Sequence, residues 1–159
     1  MTYPPKTWDD VPFEKFHTIY KKWDGKNITQ LLWLVFDQKV DSLRKLVQFV
    51  PAFFGFAFGK SINMNFDQLP LPGTITMRGR TLQVPAEMSL SNYQSMILAS
   101  VTKHDTTVID AMAIKVAMYF QPMLFNGKFD YQKAKDLERD INSLPSTVVY
   151  PIGLRIRVE

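Results

Sequence analysis

Five of the chain's twelve Phe fall within ten residues, in the stretch Val47-Gln48-Phe49-Val50-Pro51-Ala52-Phe53-Phe54-Gly55-Phe56-Ala57-Phe58-Gly59-Lys60. Only Gln48 and Lys60 at its margins are polar. Such a segment is not stable in water: its rings need cover, from the chain's own core or from another molecule. Burying even a few Phe at about 25 cal/mol per Å² supplies several kcal/mol before ordering costs. The stretch is too short to span a bilayer, and Pro51 interrupts it. The rest of the chain therefore has to provide either a core or a docking partner. Its 159 residues suffice for one domain with a real core. A hydrophobic content of 46% with 21% charged residues argues against disorder.

Periodicity divides the chain. Residues 1–11 read as an extended arm stiffened by Pro4-Pro5. Residues 12–62 read as a helical half. Phe13, Phe16, Tyr20 and Trp23 recur three and four apart and predict one buried helical face, closed by Asp24-Gly25-Lys26-Asn27. From Ile28 to Phe36 the sequence is apolar almost all round, which predicts a helix buried on several sides. Asp41 or Ser42 caps a third helix running towards Pro51. Residues 63–74 are loop formers. Ile75 to Val84 changes period and predicts a β-hairpin with Gly79 in the turn.

Residues 89–142 read as a second helical half. Its first helix has Leu90, Tyr93, Ile97 and Val101 inward. Its second starts at Asp105-Thr106-Thr107, carries Ile109, Met112, Val116 and Tyr119, and ends at Pro122 and Asn126-Gly127. Its third is capped by Asp130, with Tyr131, Ala134, Leu137 and Ile141 inward and opposite charges paired at Lys135/Glu138 and Asp136/Arg139. In the tail, Ser146 to Tyr150 is rich in β-branched residues, and Leu154 to Glu159 alternates apolar with charged. This favours strands over 146–158. The competing reading is a helix from Pro145, which would put Pro151 in its interior. The expected fold is thus mainly α (α+β): a single-domain bundle of about six helices with a small hairpin and a C-terminal strand.

Chemistry-bearing motifs are few. With no Cys there is no disulfide framework, thiolate metal site or Cys nucleophile. Gly55 to Ser61 imitates a phosphate-binding loop but has three residues between its glycines where four are needed, and two of them are Phe. His17 and His104 are the only histidines, and neither has a metal-ligand spacing to the other. The acids sit at helix starts and turns, where capping accounts for them. No enzyme activity, cofactor or metal is expected, nor a membrane span. The net charge of +4 is mildly basic. Arg78 and Arg80 at the hairpin, with Arg155 and Arg157 in the tail, form the alternative reading, contacts to nucleic acid phosphates. Scattered bases paired with acids make that the weaker candidate. Protein partners fit better. Phe49, Phe53, Phe54, Phe56 and Phe58 suit an interface, and the strand edge around Arg155, Ile156 and Arg157 suits extension by a partner's strand.

In order of elements the chain resembles small proteins of tailed bacteriophages. The residues carrying the likeness are Thr7-Trp8-Asp9-Asp10-Val11-Pro12-Phe13-Glu14-Lys15-Phe16, the hairpin Ile75 to Val84, and Leu90-Ser91-Asn92-Tyr93-Gln94 at the next helix. The resemblance implies a virion structural component or a tail assembly chaperone. It implies other phage structural or tail proteins as partners, an oligomer, and work in the host cytoplasm during assembly or in the virion.

Overall fold

A computed structural model describes residue 5, residues 7–36 and residues 66–159. The third expected helix and the Phe-rich stretch, with Phe49, Phe53, Phe54, Phe56, Phe58 and the Gly55–Ser61 loop, lie outside the described residues. Those described are mainly α-helical, with a small β component, as expected. They form α1 (Phe13–Lys22), α2 (Ile28–Phe36), the hairpin β1 (Thr74–Met77) and β2 (Arg80–Gln83), β3 (Met88–Ser89), α3 (Asn92–Val101), α4 (Met112–Leu124), α5 (Tyr131–Ser143), α6 (Ser146–Arg155) and β4 (Ile156–Arg157).

The central element is α4. Ten of its thirteen residues are buried, and it packs on α5 and α6. Ala113 and Ala117 keep its surface low, so neighbouring helices approach closely. At one point the approach excludes a side chain altogether: a Cβ on Gly153 of α6 would lie 2.2 Å from Met112 Cγ.

The tail is a correction. Residues 146–155 are helix, and only Ile156–Arg157 is strand, paired in parallel with Met88–Ser89. Tertiary burial overrides the β-branched composition here. Ser146 and then Val149 through Gly153 are all buried, so the segment is covered nearly all round and does not alternate as a half-exposed strand would. The first turn is held from outside: Ser146 N donates to Val11 O at 2.9 Å and Ser146 Oγ to Trp8 O at 3.0 Å. Pro151 sits inside the helix.

The N-terminal segment is also more structured than an extended arm. Trp8–Asp10 forms a 3-10 turn, with Thr7 N donating to Asp10 Oδ2. Trp8 and Val11 are core residues. Trp8, Phe16, Phe66 and Tyr150 form one aromatic cluster, with Phe16–Phe66 centroids 4.5 Å apart and Trp8–Phe66 edge-on at 5.0 Å. This cluster ties the chain's start to α6 and to a 3-10 turn at Phe66–Gln68. Tyr150 closes it by donating its hydroxyl to Asp67 at 2.8 Å.

Three further expectations shift. The buried face of α1 is Phe13, Phe16 and Ile19, and Tyr20 stands largely in solvent. In α2, Leu31, Val35 and Phe36 are buried but Trp33 is exposed. The helix expected from Asp105 begins at Met112, because residues 104–111 are spent on turns tied by Asp110. On α5 the pair Lys135–Glu138 forms at 2.6 Å. The hairpin forms as read, and its two-residue turn has positive φ at both Arg78 and Gly79, the geometry that matches strand twist.

Candidate functional site

Of the face expected to point inward at α3, Leu90 is buried and Ile97 packs on the core, but Tyr93 and Val101 face outward. The buried residues of α3 are Gln94, Ser95 and Leu98. Tyr93 is 63% exposed, Met96 71% and Val101 43%, with Ile97 half-buried beside them. Gln94 and Ser95 face the core beside Leu98, and an apolar stripe faces out.

Two local causes fix this orientation. Ser91 caps the helix and Gln94 completes the box: Gln94 N donates to Ser91 Oγ at 3.2 Å and Ser91 N donates to Gln94 Oε1 at 2.9 Å. The second cause lies on α4. Pro122 is inside that helix and has no N–H for the carbonyl four residues back, which is Met118 O. Gln94 Nε2 supplies the missing donor at 2.7 Å in a buried position. A buried carbonyl without a partner is costly, so Gln94 is drawn inward and Tyr93, Met96 and Val101 are carried outward by the helical period.

The stripe is uncharged. Tyr93 leans edge-on against Phe129 with centroids 6.0 Å apart, which steadies its ring without covering it. Gln121, on α4, holds the neighbouring loop. Its Nε2 donates to Lys128 O at 3.1 Å, and Asp130 N donates to its Oε1 at 2.8 Å. Gly127, at positive φ, closes α4 with a bond from its N to Pro122 O at 2.7 Å. The stripe thus stands on rigid elements.

The sequence-predicted arginines are mostly engaged in holding the fold. Arg78 Nε donates to Asp140 Oδ2 at 2.6 Å and its guanidinium lies over the Phe125 ring. Arg80 donates to Leu124 O at 2.8 Å. Arg155 donates to Pro151 O and Leu69 O. Only Arg157 of the four is left without such a bond among the described residues. Ile156 is buried, so the expected Arg155–Ile156–Arg157 edge is reduced to a two-residue strand already paired on one side.

One charged cluster was not foreseen. Asp110 Oδ1 takes bonds from Lys21 Nζ and His17 Nε2, each at 2.7 Å, and its Oδ2 takes Thr107 N and Oγ1. The Lys21 ammonium, the Thr107 donors and His17 together hold the Asp110 carboxyl well below the usual carboxylate range. The cluster fastens α1 to the turns before α4. Among the described residues no group of His, Asp and Glu is arranged to hold a metal, and no helix is long and apolar enough to cross a membrane.

The outward stripe was missed because Tyr93, Ile97 and Val101 at i, i+4 and i+8 look the same whichever way the helix faces. The usable signal was Ser91-x-x-Gln94 followed, on the next helix, by an internal Pro. Compared with known proteins, the chain matches no family model, no curated protein and no solved structure.

Proposed function

We propose that the chain is a non-enzymatic protein–protein interaction module of tailed-phage particle assembly. It serves either as a virion structural component or as a tail assembly chaperone, working in the host cytoplasm during assembly. The phage setting rests on the sequence resemblance of residues 7–16, 75–84 and 90–94. The binding role rests on one observation: α3 turns Tyr93, Met96 and Val101 to solvent while Gln94 and Ser95 face the core.

The occupant proposed for this face is a second copy of the chain. Tyr93, Met96, Ile97, Ser100 and Val101 carry no charge, so two copies can meet about a two-fold axis without like charges opposing. Tyr and Met are among the side chains that interfaces favour. Fully burying a side chain of this size is worth about 1.5–3 kcal/mol, so the few residues on each copy outweigh part of the cost of association.

Sedimentation equilibrium over a concentration series tests this with wild type and the pair Tyr93→Ser, Met96→Asp. The expected result is self-association of wild type and a monomeric variant that still unfolds cooperatively but melts somewhat lower, having lost the Tyr93–Phe129 contact and the stabilisation that association confers. A wild type that stays monomeric at the highest concentrations, or a variant that associates equally well, would sink the reading.

A further inference from the structure

A cleft of about 320 Å³ opens between α3, the 102–111 turns and the start of α4, lined by Ser95, Leu98, Ala99, Val108, Lys115 and Val158 among others. That is the small end of the range for ligand clefts, roughly 300–1,000 Å³. Two of its polar groups are out of balance. Lys115 is only 8% exposed over the whole residue; its ammonium keeps some contact with solvent at the cleft and has no carboxylate or other hydrogen-bonding partner among the described residues. Ser95 is 5% exposed, and its Oγ is buried without a partner. A lysine covered to this extent is ordinarily paired, and partial desolvation without a partner disfavours its charge. Burial alone accordingly pulls the Lys115 amine below its ordinary pKa.

The threonines around the cleft already have partners. Thr102 Oγ1 donates to Leu98 O, Thr106 Oγ1 accepts from Lys103 N, and Thr107 Oγ1 donates to Asp110. Apart from the Thr106 hydroxyl, which accepts from Lys103 N and still has its own proton to give, the polar groups left uncommitted are one ammonium and one hydroxyl, in an otherwise apolar wall with no acid among its lining residues.

We propose that this cleft binds a small amphipathic carboxylate, one oxygen on Lys115 Nζ and the other on Ser95 Oγ, with its aliphatic body along Leu98, Val108 and Val158. Ser95 has no bond to break before turning its hydroxyl to the ligand. A carboxylate matches the pair in both number and sign of acceptors, whereas a phosphate would ask for more donors than two. The apolar remainder selects a ligand with a short hydrocarbon chain. This site is independent of the association proposed for the outer stripe of α3, and monomeric protein would bind as well as oligomer.

Octanoate is the probe, followed by calorimetry and by amide shifts in a nuclear magnetic resonance titration of the full chain. The expected result is saturable binding at one site, with shifts centred on Ser95, Lys115 and Val158. Acetate and octanol, which keep only the charge or only the chain, should each bind at least about tenfold more weakly, a difference of about 1.4 kcal/mol. Lys115→Met should lose at least about tenfold in octanoate affinity, and Ser95→Ala a smaller factor. Without ligand, Lys115→Met should melt no lower than wild type, because it removes an unpaired, partly desolvated cation from an apolar wall. Octanol binding as tightly as octanoate, undiminished binding by Lys115→Met, or no saturable binding to wild type would each overturn the proposal. The shift map in wild type decides the matter even if a variant fails to fold.

Discussion

The pairing of Gln94 with the carbonyl that Pro122 leaves open can be measured as a coupling free energy. Gln94→Met keeps the volume and helix propensity of the side chain but removes its donor and acceptor. The loss has two parts. Met118 O, buried and four residues before Pro122, is left with no donor from either helix, which costs about 1–3 kcal/mol. Ser91 N also loses its acceptor, but that site lies near the helix end where water substitutes, adding about 0.5–1 kcal/mol. The full cost is then about 1.5–4 kcal/mol in the wild-type background. In a Pro122→Ala background, the new Ala N–H reaches Met118 O within α4, and only the capping part remains. The double-mutant cycle should give a coupling of about 1–3 kcal/mol. At about 2–4 °C per kcal/mol for a chain of this size, this is several degrees of melting temperature. Any effect of Pro122→Ala on the unfolded chain appears in both legs and cancels. Urea unfolding followed by circular dichroism supplies the four stabilities. If Gln94→Met costs the same in both backgrounds to within about 0.3–0.5 kcal/mol, Gln94 does not stand in for the missing donor, and the reason given for the orientation of α3 is wrong.

Gly153→Ala gains about 1 kcal/mol in helix propensity but drives a methyl into Met112, so the net effect should be destabilising by about 1 kcal/mol or more, relieved in part by Met112→Ala on chemical denaturation. Tyr150→Phe loses the bond to Asp67 and should cost about 1–2 kcal/mol at neutral pH. Because burial and the neighbouring Asp67 raise the Tyr150 pKa in the fold, that contribution is full below the unfolded value of about 10 and fades as pH rises beyond it. Asp110→Asn should lower the melting temperature at neutral pH. The folded carboxyl is held well below its unfolded value of about 3.9, so the gap to wild type should close as pH falls past 4, where the unfolded carboxyl takes up a proton that the native one still refuses. A gap that is constant from pH 7 to pH 2 would show that the Lys21 and His17 contacts contribute nothing.

Much of the fold was legible where local signals and burial agree. Ala134, Leu137 and Ile141 repeat at helical spacing behind an Asp130 cap, and α5 forms there. Arg78-Gly79 sits between alternating segments, and the hairpin forms around it. The failures share a cause. Ser146 to Tyr150 has strand-like composition, but its helix is decided by contacts with Trp8 and Val11, more than a hundred residues away in sequence. Tyr93, Ile97 and Val101 have core-like spacing, but the side that faces inward is decided by a carbonyl on another helix. Trp8 reads as part of an arm because its partners, Phe16, Phe66 and Tyr150, come from three separate segments. The candidate site was the least legible part, since an apolar side chain gives the same sequence signal whether it meets the chain's own core or another molecule.

The central claim is that the outer stripe of α3 is a contact surface. Placing a photo-crosslinking amino acid at Met96 and mapping the adducts by mass spectrometry tests it most directly. The account predicts adducts that join position 96 to residues 93–101 of another copy and that fade on dilution. Adducts confined to position 96's own chain, or to solvent alone at every concentration, would contradict it.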